Sequence, residues 1–212
     1  MVKVLILDLE KIKSQKTINN AIKTTSYEII KTSMSIVIAT LVQNKEINIF
    51  ADRRMIEEEM SGSHYKIHEI QKIYKLSDTI LFGMTGDAEW GIQLANALSI
   101  HELPSQLIQN IRSFKITPKD HSTFILGGKY DDGDLFLFGY KTKGGELFRK
   151  NESECIIASP NLELSNACAD LYLHYKEMGY SEEQNCIETI KFAASQEPKY
   201  ISEDFNHFQI LY

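Results

Sequence analysis

The segment Ser35–Val42, SIVIATLV, is apolar at nearly every position, with no alternation of polar and apolar residues. Such a run marks a strand covered on both faces rather than one half open to water. Gln43, Asn44, Lys45 and Glu46 then form a polar turn with its tip at Asn44–Lys45, and INIFADRR returns as a second strand that ends in charges. KIYKL (72–76) and TILFGM (79–84) form another pair across a Ser77–Asp78 turn. Gly86–Asp87 opens a helix with Asp87 as N-cap, and Trp90, Leu94, Ala97 and Leu98 recur at helical spacing. Pro104 starts a second helix striped by Leu107, Ile108 and Ile111. Next come STFILGG, a DDGD turn (131–134), LFLFGY, a KGGE turn (143–146), and the short strands ELFRK and ECIIAS.

Two helices follow. Leu164, Cys168, Leu171 and Tyr172 stripe the first, which stops at Met178–Gly179. Ser181 with Gln184 forms a capping box that opens the second, lined by Ile187, Ile190 and Ala194. HFQILY closes the chain as a strand. The doubly apolar strands need a layer on each side. This order therefore predicts an α+β fold: a four-layer αββα sandwich, two antiparallel sheets between helix pairs, over residues 35–212. Residues 1–34, with a short apolar strand at Val4–Leu9 and weak helical periodicity (Ile12, Ile18, Ile22), read as an N-terminal extension or propeptide.

Composition changes this picture little. The chain has 212 residues and a net charge of −6, with basic residues interleaved with acids, which gives no support for nucleic-acid binding. No apolar run reaches membrane-spanning length, and the N-terminal one is too short for a signal peptide, so a cytoplasmic protein is expected. Cys155, Cys168 and Cys186 have neither disulfide-framework nor zinc spacing and read as packed thiols in a reducing compartment. His64 and His68 have the i, i+4 spacing of helix-borne metal ligands, but HYKIHE reads as a polar loop. DDGD lacks the further ligands of a calcium loop and reads as a hairpin turn.

Candidate chemistry enters with SIVIATLVQNKEINIFADRR, QKIYKL, FGMTGDAEWG and STFILGGKYDDGDLFLFGY. These segments resemble the nucleophile strand with its Asp-x-Arg turn, the active-site lysine strand, the Gly-rich entry to the first helix and the middle hairpin of the proteasome β-subunit and HslV family. That family belongs to the N-terminal nucleophile hydrolases. The resemblance runs from Ser35 to the end of the chain. It implies a serine/threonine-type peptidase that hydrolyses peptide bonds without a cofactor. The first residue of the processed chain supplies the hydroxyl, and its own α-amine acts as the base. Carried over by position, Asp52 is the aspartate, Lys72 the lysine and Arg54 the supporting arginine, while Ser159 is the serine near the terminal amine. Counting back from Asp52 without a gap puts Ile36 at the nucleophile position; one extra turn residue puts Ser35 there, and two put Met34 there. Ser35 carries the needed hydroxyl, and cleavage before it would remove residues 1–34.

Each position has a second reading. Asp-Arg-Arg is also a solvated turn, Lys72 a sheet-edge lysine, and Ser159 before Pro160 a helix-entry residue. Three departures from the family are plain: the nucleophilic threonine is missing, Met34 stands where a glycine is usual, and KYISEDFNHF lacks the glycines of the loop before the last strand, although Ser202 and Asp204 stand in it. The resemblance further implies a homo-oligomeric ring and an unfoldase partner. The alternative is a catalytically inactive homologue on the same fold, a structural or binding subunit that keeps its extension.

Overall fold

A computed structural model describes residues 29–32, 35–43, 45–59, 65–98, 104–113, 122–130, 132–142, 146–150, 154–159 and 161–211. The strand expected at Val4–Leu9, His64, and the KGGE turn before Glu146 lie outside the described residues.

The elements run β1 (Ile29–Thr32), β2 (Val37–Val42), β3 (Glu46–Asp52), β4 (Arg54–Glu59), β5 (Tyr65–Glu69), β6 (Ile73–Ser77) and β7 (Ile80–Thr85). Helices α1 (Ala88–Ala97) and α2 (Pro104–Ser113) follow, then β8 (Thr123–Lys129), β9 (Leu135–Lys141), β10 (Glu146–Lys150) and β11 (Glu154–Ala158). The chain ends with α3 (Leu162–Glu177), α4 (Glu182–Gln196) and β12 (Phe205–Leu211). Every pairing among the described strands is antiparallel. They form a four-stranded sheet β11-β2-β3-β12, a five-stranded sheet β10-β9-β8-β7-β6 and a three-stranded sheet β1-β4-β5.

Local chemistry explains the turns and caps. Gln43 takes a left-handed φ of 48°, and the Lys45 amide donates to the Val42 carbonyl, closing the β2–β3 hairpin. Asp87 accepts from the Trp90 amide, Asn161 from those of Glu163 and Leu164, and Ser181 from that of Gln184, so α1, α3 and α4 all start on side-chain caps. Gly179, at φ 82°, ends α3, a conformation that costs glycine nothing.

The apolar side chains gather in three clusters. The first joins Val37, Ala39, Ile47, Ile49 and Ala51 of the four-stranded sheet to Ile73, Leu81, Ile125 and Leu137 of the five-stranded one. The opposite face of the five-stranded sheet packs Phe82, Phe124 and Leu126 against Trp90, Leu94, Leu107 and Ile111 of α1 and α2. The opposite face of the four-stranded sheet packs Ile36, Ile38 and Phe50 against Leu164, Cys168, Tyr172 and Ile190 of α3 and α4. β2 thus sends Val37 one way and Ile38 the other, both fully buried, which accounts for its unbroken apolar sequence.

Two expectations need correction, and one strand was not foreseen. β3 ends in the charges at Asp52 as expected, but after Arg53 the unforeseen β4 carries the chain into a separate sheet. HYKIHE is not a loop over its described part, because Tyr65–Glu69 is β5, paired with β4 from Arg54↔Glu69 to Glu58↔Tyr65. Both were hidden for a related reason: neither carries a long apolar run, β5 being mostly exposed and β4 burying Ile56 fully, and both are held by backbone pairing. Ala97 does not belong to the buried stripe of α1; Ala95 takes that place and Ala97 is exposed.

Candidate functional site

The site lies where the ends of several strands meet. Val37 pairs with Ala51, and one step further the Asp52 amide donates to the Ile36 carbonyl at 3.3 Å. Asp52 also pairs with Phe205 of β12, and Ala158 of β11 pairs with Val37. Ser35, Ile36, Asp52 and Ser159 therefore all sit at one end of the four-stranded sheet. Lys72 comes from the other sheet, immediately before its edge strand β6, where its carbonyl accepts from the Met84 amide at 3.1 Å.

The Lys72 side chain crosses to the Asp52 carboxylate. Nζ donates to both Oδ1 and Oδ2 at 2.9 Å, and its third proton goes to the Arg54 carbonyl. Asp52 Oδ1 also accepts from the Ile36 amide and Oδ2 from the Arg54 amide, each at 3.0 Å. Three ammonium donors and four carboxylate acceptor positions are thus all used. Both side chains are fully buried. Burial raises the Asp52 carboxyl above its ordinary range, and the Lys72 ammonium and the hydrogen bonds oppose that rise. Burial likewise lowers the Lys72 ammonium, opposed by the Asp52 charge. Each group holds its charge against desolvation through the other. Asp52 is therefore not a solvated turn residue, and Lys72, although it stands directly before the edge strand β6, is buried.

Ser35 is fully buried directly before Ile36, whose amide is bound by Asp52. The Ile36 side chain lies in the core under α3 and α4. Ser159 follows Ala158 and begins the entry to α3: its amide donates to Ser165 Oγ at 3.0 Å, and its own Oγ accepts from the Asn161 amide at 3.3 Å. Arg54 touches Lys72 through its backbone; its guanidinium instead donates to the carbonyls of Pro198 and Ile201. The Arg53 amide donates to Ser202 Oγ at 3.3 Å and to the Asp204 carbonyl at 3.1 Å, and Ser202 Oγ donates to that same carbonyl at 2.9 Å. The glycine-free segment 198–204 is thereby fastened to the Asp52–Arg54 strand end. Sequence reasoning missed that Arg53 and Arg54 face this segment, and no local motif signals it, because the partners stand nearly 150 positions away.

The other candidates are placed elsewhere. His68 bonds Glu57 at 2.9 Å across β4–β5, and the Asp134 amide donates to Asp132 Oδ1 in a hairpin turn. Cys168 and Cys186 are buried; desolvation pushes the Cys168 thiol up to about 12 and Cys186 well above its ordinary value.

The two facing antiparallel sheets and the four helices among the described residues make up a proteasome/HslV-like fold. One such likeness is to eukaryotic HslV from Trypanosoma brucei: it covers 84% of this chain and 99% of that one, with a TM-score of 0.63 and 12% identity. At that identity the likeness is one of fold. No protein-family model and no curated protein matches the sequence. Among the described residues, no helix is long and apolar enough to cross a membrane.

Proposed function

We propose that the chain is a proteasome-like subunit that hydrolyses peptide bonds with Ser35 as N-terminal nucleophile, once cleavage after Met34 has removed residues 1–34. The buried Lys72–Asp52 pair, hydrogen-bonded to the amide next to Ser35, carries this reading. The three apolar clusters support a four-layer αββα arrangement around it.

In the full chain the Ser35 nitrogen is an amide and cannot accept a proton. Cleavage turns it into an α-amine with a reference pKa of about 7.7–8.0, so that an appreciable fraction is neutral near pH 7. That amine takes the Ser35 Oγ proton as Oγ attacks the scissile carbonyl. The C–N bond then breaks, the new amine leaves with a proton, and an ester remains on Ser35. Water hydrolyses the ester and restores the hydroxyl. Lys72 acts through its charge, which favours the alkoxide and oxyanion, because its three protons are already engaged. Asp52 keeps that charge in place, Arg54 supplies a carbonyl to Lys72 and clamps the 198–201 turn, and Ser159 lines the strand end beside Ile36. No cofactor takes part. A homo-oligomeric ring in the cytoplasm, served by an unfoldase, is the setting this reading implies.

Intact mass and N-terminal sequencing of the purified protein, alongside turnover of fluorogenic peptides, test it. The expected chain begins at Ser35 and turns peptides over, while Ser35→Ala keeps its extension and is inert. A chain that keeps residues 1–34 and is inert overturns the peptidase. It favours the second reading, an inactive structural subunit, to which one observation speaks: Ile29–Thr32, within the extension, is built into a sheet as β1.

A further inference from the structure

Thr85, the last residue of β7, is 2% exposed, and no group among the described residues hydrogen-bonds its Oγ1. Such buried, unpaired hydroxyls are few in folded proteins, because leaving one without a partner is costly. Thr40 and Asn185 also have unpaired side chains, but Thr40 alternates with Ala39 and so lies on the helix-facing side of β2, and Asn185 belongs to α4. Thr85 stands at the site, and strand alternation gives its direction. A Cβ on Gly83 would stand 3.1 Å from Val37 Cγ1, so that side of β7 looks across the gap between the sheets at β2. Thr85 comes two residues after Gly83, and Ser35 two residues before Val37. Both side chains therefore face the gap, at the end where Lys72, whose carbonyl accepts from the Met84 amide, crosses to Asp52.

We infer that Thr85 is a further catalytic residue, whose hydroxyl donates a hydrogen bond to Ser35 Oγ once cleavage has freed Ser35. The supply of donors at this end leads to it. Negative charge gathers on Ser35 Oγ as its proton leaves for the α-amine, and a donor aimed at that atom stabilises the charge. Lys72 has no proton left to give, since all three are bound by Asp52 and the Arg54 carbonyl. Thr85 has one donor unspent, and Thr123, directly opposite on β8, does not engage it. In the full chain the planar peptide bond to Met34 fixes the Ser35 backbone. Cleavage removes that restraint and lets the Ser35 side chain turn onto Thr85. The inference deepens the peptidase reading and rests on it.

Thr85→Val keeps the shape of the side chain and removes the hydroxyl; Thr85→Ser keeps the hydroxyl. The first arm needs no turnover and uses the full chain carrying Ser35→Ala. There an unpaired hydroxyl is replaced by a methyl group, so Thr85→Val should leave the urea midpoint unchanged or raise it. A lower midpoint would mean that the hydroxyl already has a partner in the full chain, and would overturn the inference. The second arm follows turnover of fluorogenic peptides, counted per chain that intact mass shows to begin at Ser35. Because the bond strengthens as charge builds on Oγ, Thr85→Val is expected to lower kcat about 10-fold or more and to leave KM within about 2-fold, while Thr85→Ser keeps most of the parent rate. Equal kcat in the parent and Thr85→Val overturns this inference alone, and the peptidase stands. A loss seen equally in Thr85→Ser and Thr85→Val points to packing rather than the hydroxyl and also overturns it. An inert parent brings down the peptidase and this inference together.

Discussion

At the scale of single residues, the Asp52–Lys72 pair shows why a buried ion pair is easy to damage and hard to value. All its donors and acceptors are used, so removing one partner strands the other in a fully buried site. Lys72→Met alone, or Asp52→Asn alone, is expected to cost about 3–5 kcal/mol. The double variant Asp52→Asn/Lys72→Met should cost clearly less than the sum, because Asn keeps an acceptor for a backbone amide and no bare charge remains. Urea midpoints of the four proteins check this. Costs that simply add would mean the two groups are not coupled. Cys168 makes a separate point about pH. Its folded-state thiol is raised from an ordinary value of 9.0 to about 12, so its contribution to stability is whole below pH 9 and is lost as pH climbs towards 12. Between those limits Cys168→Ala should lose less stability with rising pH than the parent does, although it starts lower because of the cavity. Iodoacetamide at pH 8 should leave Cys168 unlabelled until the protein unfolds.

At the scale of elements, glycines of the five-stranded sheet let neighbouring elements seat closely. A Cβ on Gly127 would come within 2.8 Å of Ile47 Cγ2, and one on Gly83 within 3.1 Å of Val37 Cγ1. The opposite sheet fills the space those side chains would need. Gly128 is tighter: a Cβ there would stand 2.6 Å from both the Thr79 carbonyl oxygen and the Phe136 ring. Backbone cannot swing aside as a side chain can, so Gly128→Ala should destabilise by about 1–3 kcal/mol or more, and more than Gly127→Ala. Thermal melts of the two variants decide the order. Which strands were legible in the sequence follows from burial. β2, β3, β7, β8 and β9 carry long apolar runs because each is covered on both sides, and they stand where expected. β4 and β5 were not legible, since neither RMIEEE, in which Ile56 is fully buried, nor YKIHE carries a long apolar run, and they are held by backbone pairing in the sheet β1-β4-β5. The N-caps at Asp87 and Ser181 were readable because a cap is a contact over three residues.

At the scale of the whole molecule, the chain closes on itself through β12. Its seven residues pair with the full length of β3, from Phe205↔Asp52 to Leu211↔Glu46. His207 stacks on Phe50 with ring centroids 3.9 Å apart, and its Nε2 meets Asn48 Oδ1 at 3.0 Å. A chain stopped after Asp204 would bare one edge of β3 and part of the cover of Phe50, beside the strand end that holds Asp52. Such a truncation is expected to lose cooperative unfolding, followed by circular dichroism on heating; a sharp transition near that of the parent would contradict it.

The amino-acid sequence alone determined the order of the buried strands and helices, because patterning, capping and turn chemistry act over a few residues, while its resemblance to the proteasome β-subunit and HslV family brought Ser35, Asp52, Lys72, Ser159 and Arg54 forward as candidates. Tertiary structure decided the rest. It set Lys72 across the gap between two sheets onto Asp52, turned the Arg54 side chain to the 198–201 turn, and laid β1 along β4. Those outcomes depend on which groups desolvate together, and desolvation is a property of the folded surroundings rather than of neighbours along the chain.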